Sequence, residues 1–211
     1  MKKVLALLFC VAIAFFLCAC GEQEDLSTPE DDAAQATVQE TEVKELLALP
    51  GQMFEQPALV TSVGQSADVA IVNTLLTRAG VETYQNSTIA ASEMSDSYPT
   101  LVLAIGGSSK GLGAAGIDAD EELARVTELI AAAKEKGMKI IALHIGGTAR
   151  RGTLSDQFIP SAIAAADAAI ILSSGDKDNM MRDILVENDI PAQYIEQQID
   201  AVEPLQLLFG L

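Results

Sequence analysis

Residues 100–144 read TLVLAIGGSSKGLGAAGIDADEELARVTELIAAAKEKGMKIIALH, and this stretch decides the fold. Its two ends, 100–105 and 139–144, are short apolar runs rich in branched side chains. That is the pattern of strands covered on both faces. Between them, 118–136 carries helical spacing. Asp118 with Glu121 makes a capping box at its start, and Gly137 ends it. Strand, helix and strand in succession make a parallel β-α-β unit.

The same alternation extends both ways. Towards the N-terminus, 58–63 is a strand, and 66–78 is a helix whose Val69, Val72, Leu75 and Leu76 share a face before Gly80 closes it. Residues 81–84 form a weaker, polar strand at an edge. Towards the C-terminus come an alanine-rich helix (158–167), a strand (168–172), a helix (178–187), a last short strand (192–195) and a final helical turn or two (202–208). The expected architecture is α/β, with a doubly wound, mainly parallel five-stranded sheet in a flavodoxin-like or Rossmann-like three-layer sandwich. The weak second strand suggests the order 2-1-3-4-5.

The N-terminus is organised differently. Lys2 and Lys3 precede an apolar run from Val4 to Ala19, too short to cross a bilayer comfortably, and then Cys20 and Gly21. Leu17-Cys18-Ala19-Cys20 resembles the lipobox of bacterial lipoproteins, which implies cleavage before Cys20 and a lipid on its sulfur. The expected organisation is a signal peptide (1–19), an acidic flexible tether (20–56) with a possible short helix at 41–49, and one α/β domain (57–211). The protein is then expected on the extracytoplasmic face of the cell membrane, held by its lipid. All three cysteines (Cys10, Cys18, Cys20) lie in the signal region, so the domain has no disulfide, cysteine nucleophile or cysteine metal site.

The chain has a net charge of −17. Of its 30 acids and 13 bases, 20 and 10 respectively fall in 57–211, a net −10 for the domain. This charge argues against nucleic acid as a partner. The few aromatics argue against a stacking platform for bases or sugars.

In a doubly wound sheet, ligands bind outside the carboxyl ends of the strands, near the reversal of strand order. The residues at those ends include Gln65 and Ser66 after the first strand. Gly106, Gly107, Ser108, Ser109 and Lys110 follow the third, His144 ends the fourth, Arg150 and Arg151 follow it, and Ser174 follows the fifth. Glycines, hydroxyls, cations and the single histidine thus collect at one edge, while the opposite strand ends are plainer. We expect these residues to bind a small anionic ligand, a carboxylate or phosphate. Arginine forks suit such oxygens, and glycine amides allow a close approach. His144 is either a packed core side chain or a ligand contact. Ser155-Asp156 and the 176–179 segment read as turns and helix caps. No metal, no cofactor and no catalytic residue is assigned. The arginine pair is expected to matter for binding and little for stability.

Gly107-Ser-Ser-Lys-Gly111-Leu-Gly113 is similar to the dinucleotide loop of short-chain dehydrogenases. Here it follows the third strand, and no Tyr-x-x-x-Lys accompanies it, so a dehydrogenase is set aside. The segments QPALVTSVGQSADV, IGGSSKGLGAAGID and LHIGGTARRGTLSD resemble a family of bacterial lipoprotein domains of unknown function. That resemblance implies an exported α/β domain and transfers no site residues. The functional expectation is a membrane-tethered module that binds a small anion and serves a permease or a sensor. The alternative is an extracytoplasmic hydrolase or transferase with His144 as its acid–base group.

Overall fold

The computed structural model describes residues 44–211. The expected signal peptide, Cys20 and the first part of the tether lie outside the described residues. One sheet of six parallel strands runs in the order β2-β1-β3-β4-β5-β6. Its strands are β1 (Ala58–Val63), β2 (Thr83–Gln85), β3 (Thr100–Ile105), β4 (Lys139–His144), β5 (Ala168–Leu172) and β6 (Ala192–Ile195). Among the described residues, no helix is long and apolar enough to cross a membrane.

Period-two alternation divides the core into two layers. Leu101, Leu103 and Ile105 of β3, with Ile140 and Ala142 of β4, face α3 (Ala119–Glu135), α5 (Ile159–Ala164) and α6 (Met180–Glu187). Val102 and Ala104, with Ile141 and Leu143, face α1 (Asp68–Ala79) and α7 (Val202–Phe209). β1 and β3 are buried along their whole length, which is why those strands carry no polar alternation in sequence. The capping box of α3 forms as expected: Glu121 N–H donates to Asp118 at 2.9 Å, and Asp118 N–H donates to Glu121 at 2.9 Å.

Three expectations are corrected. The sheet has six strands, not five: the short strand expected at 192–195 forms and joins it as β6 at the far edge. The possible helix at 41–49 is not formed over 44–49. Leu47 instead touches the start of β6, its carbonyl accepting Ala192 N–H at 2.9 Å. The later part of the tether also belongs to the folded body. Phe54 is fully buried, its ring 5.7 Å from that of Phe209, and Met53 and Phe54 N–H both donate to Leu208 O. The Phe54 side chain is a large apolar surface that finds a place in the α1–α7 layer, with Leu49 and Met53 packed against the same cluster.

Candidate functional site: the carboxyl edge of the sheet

The chain winds one way from β1 to β2 and the other way to β3, so the carboxyl ends of β1 and β3 form the switch point. Gly64 (φ 97°) and Gln65 (φ 57°) both take left-handed backbone there. The turn brings Gln65 against Gly107 as an isolated antiparallel bridge. Left-handed backbone at a non-glycine residue is uncommon and needs support from its surroundings. Glu122 supplies it. This carboxylate, fully buried on α3, accepts Gly64 N–H at 2.9 Å and Gln65 Nε2 at 3.1 Å. Its charge is matched by Arg125, whose Nε donates to it at 2.8 Å. The Arg125 guanidinium also reaches Ser62 O at 2.6 Å and Ile89 O at 2.9 Å. A buried acid without such partners would be prohibitively unfavourable.

The glycine-rich loop after β3 is closed by the protein itself. Gly106 N–H donates to Val63 O, Ser108 N–H to Gly64 O, and Gly107 N–H to Ser155 Oγ at 3.1 Å. Ser108 caps α2 (Ser109–Ala115), accepting Gly111 N–H at 3.1 Å. The end of the expected loop is thus helical despite two glycines. Gly111 has a packing reason, because a Cβ there would sit 1.7 Å from Gln65 O. The glycine pattern that looks like a phosphate cradle here lets α2 press onto the β1 turn.

The cations divide into three. Lys110 and Ser109 are exposed. Arg150 Nε donates to buried Asp68 Oδ2 at 2.9 Å, its one hydrogen bond to a side chain among the described residues. Among the described residues its terminal nitrogens make no hydrogen bond, and its stem lies beside Ser66 and Gly106: a Cβ on Gly106 would be 3.0 Å from both Arg150 Cδ and Ser66 Oγ. Arg151 is fully engaged. It donates to Asp156 at 2.8 Å, to Asp178 at 2.8 and 2.9 Å, and to Gly175 O. The hydrogen bond from Arg151 holds Asp178 down at about 2.

His144 is completely buried. Its Nε2 meets Arg150 O at 3.0 Å, which makes Nε2 the protonated nitrogen, while Nδ1 has no partner among the described residues. A Cβ on Gly175 would stand 2.8 Å from Nδ1, so that glycine packs directly over the ring. Burial lowers the His144 pKa below its ordinary value, against the opposing effect of the Arg150 carbonyl. Neither ring nitrogen reaches the surface. Ser174 is exposed, its carbonyl accepting Thr148 Oγ1 at 2.8 Å. Asp176 acts as a cap: it accepts Met181 N–H at 2.8 Å, Arg182 N–H at 2.9 Å and the Tyr194 hydroxyl. Burial, and then this acid, raise the Tyr194 pKa.

The structure therefore brings Ser66, Gly106 and Arg150 together and keeps Gln65, Gly107, Ser108, His144 and Arg151 as framework. Cys20 lies outside the described residues. Sequence reasoning missed Asp68, Glu122, Arg125 and Tyr194. A signal for Glu122 exists: it shares helical spacing with Val126, Leu129, Ile130 and Ala133, all buried on α3, so an acid stands on an apolar face.

Residues 55–209 match the family described as Domain of unknown function (DUF6305). The chain belongs to that family. No curated protein matches it at a significant level. Among solved structures it is similar to a GDSL-like lipase from Bacteroides thetaiotaomicron, at 9% identity and a TM-score of 0.31. The match covers 65% of this chain and 66% of that one, so the chain spans just under two thirds of the lipase's length.

Proposed function

We propose that this member of the DUF6305 family is a lipid-anchored extracytoplasmic protein that binds a small carboxylate or phosphate at the β1–β3 switch point. The observation that carries the reading is the open end of Arg150. Asp68 fixes the guanidinium through Nε at 2.9 Å and leaves the terminal fork free. An oxyanion seated there takes two parallel hydrogen bonds from the fork, with the Ser66 hydroxyl beside it. Lys110, exposed in the first turn of α2, adds long-range attraction on a domain that is otherwise acidic. A lipid on Cys20 would present the site to a permease or a sensor at the membrane.

Thermal-shift and calorimetric titration with inorganic phosphate, sulfate and a panel of mono- and dicarboxylates tests the site. A bound anion at a hundredfold its dissociation constant should stabilise the fold by about 2.7 kcal/mol. Arg150→Gln should abolish that shift. A panel without any shift, or a shift that survives Arg150→Gln, overturns the proposal. The anchor has a separate readout: radiolabelled palmitate should enter the wild-type chain and not Cys20→Ala.

A further inference from the structure

A second candidate surface lies at the β6 edge, remote from Arg150. A groove of about 630 Å³ runs between this strand and α7. Leu49, Ile195, Pro204, Leu207 and Leu211 supply its apolar lining. Leu207 is 47% and Leu211 53% exposed, although both are large apolar side chains near the C-terminus of α7. Isolated exposed leucines are ordinary, but a lined groove bordered by polar residues marks an interaction surface.

The strand beside the groove is half covered. Its parallel register with β5 pairs Ala169 with Ala192 and Ile171 with Tyr194. Ala169 N–H donates to Pro191 O, so the flanking residues of β6 face β5, and Ala192 and Tyr194 turn their backbone groups to the free edge. Leu47 O takes the Ala192 N–H at 2.9 Å. Among the described residues, no backbone carbonyl takes that of Tyr194. An exposed edge of this kind is a template for an added strand.

The charge around the groove selects the occupant. Glu196, Asp200 and Glu203 line it, with no lysine, arginine or histidine. Among the described residues none of the three has an ion-pair partner. A second copy of this domain, at net −10 (20 acids against 10 bases in 57–211), is repelled. So is the chain's own segment 21–43, which holds 8 acids and no base.

We propose that this groove docks an extended segment of a partner protein that alternates cationic and apolar residues. The segment adds as a strand beside Tyr194, places its apolar side chains over Ile195 and Leu207, and sets its cations against Glu196, Asp200 and Glu203. The proposal does not depend on anion binding at Arg150.

The test uses the full chain in detergent and two fluorescein-labelled octapeptides, one alternating lysine with valine and one alternating glutamate with valine. The lysine peptide should bind, more weakly as salt rises, and should slow hydrogen exchange at the Tyr194 amide. Glu203→Lys, on an exposed side chain, should leave the melting temperature in place. It should weaken the peptide about tenfold, since it converts an attraction into a repulsion. Leu207→Asp should weaken it as well. Equal affinity for the two peptides, no binding of either, or binding that is indifferent to Glu203→Lys with Tyr194 unprotected overturns the proposal.

Discussion

Two parts of the same sheet treat their charges in opposite ways. At the carboxyl ends of β1, β3 and β4 the named acids find bases: Glu122 meets Arg125, Asp68 meets Arg150, and Asp156 and Asp178 meet Arg151. Along β6 and α7, Glu196, Asp200 and Glu203 line a groove that contains no base. For Glu122 and Asp68 the difference follows from burial, whereas Arg151 also holds the exposed Asp178. Glu122 is fully buried and Asp68 nearly so, and an uncompensated charge in such places costs several kcal/mol. The groove acids are open to water and can remain unpaired. A cluster of cations is therefore not by itself a ligand site, because its first duty here is to neutralise carboxylates of the same domain. Of the three arginines named here, Arg150 is the one whose terminal nitrogens make no hydrogen bond among the described residues.

The comparison breaks most visibly at Glu122. Glu122→Ala leaves the Arg125 guanidinium without its carboxylate and Gly64 N–H without its acceptor, and leaves the Gln65 amide only Ser87 O, so urea unfolding should show a loss of about 3–5 kcal/mol. A loss under about 1 kcal/mol would mean that water solvates this acid and that the carboxyl edge is no more buried than the groove.

A smaller effect is expected at Arg151. Its removal leaves Gly175 O without its donor and the Asp156 carboxylate with only the Gly152 N–H, and should cost about 1–3 kcal/mol. Asp178 is exposed and adds only a screened surface contact. The near-neutral stability expected of the arginine pair from sequence is thus corrected for Arg151. A variant as stable as wild type would return Arg151 to the role of a free surface cation.

The smallest effect is the titration of His144. Its folded pKa lies below the ordinary value of 6.5 because burial disfavours the imidazolium. As pH falls below 6.5, the unfolded chain takes up the proton first. Stability should therefore be complete above 6.5 and decline below it until the folded pKa is reached. One such group gives a slope of at most about 1.4 kcal/mol per pH unit. Unfolding measured from pH 7.5 to 5 on wild type and His144→Gln should show the variant with the flatter profile. Parallel profiles would place the imidazole in contact with solvent.

Much of the fold was legible because strand and helix signals are local. The run at 139–144 became β4 without change, and the capping box at Asp118 became the start of α3. The candidate site was legible in position and less so in chemistry. Strand-end residues do gather at the β1–β3 switch point. Yet Gly111 is a glycine because Gln65 O approaches from a different loop, and no window of sequence around residue 111 contains that information. Asp68 and Arg150 are 82 positions apart, and Gly64 and Glu122 are 58 apart.

By itself, the sequence determined the alternation of strands and helices, the parallel sheet, the edge where polar and glycine residues collect, and the acidity of the domain. These follow from side-chain period, capping chemistry and composition, which act over a few residues or over the whole chain. Only the tertiary structure decided that 44–56 packs onto the domain, that Arg151 is occupied while Arg150 is half free, and that His144 is sealed beneath Gly175. Those outcomes depend on which distant groups meet in a low-dielectric interior, where each buried charge or polar atom must find a partner.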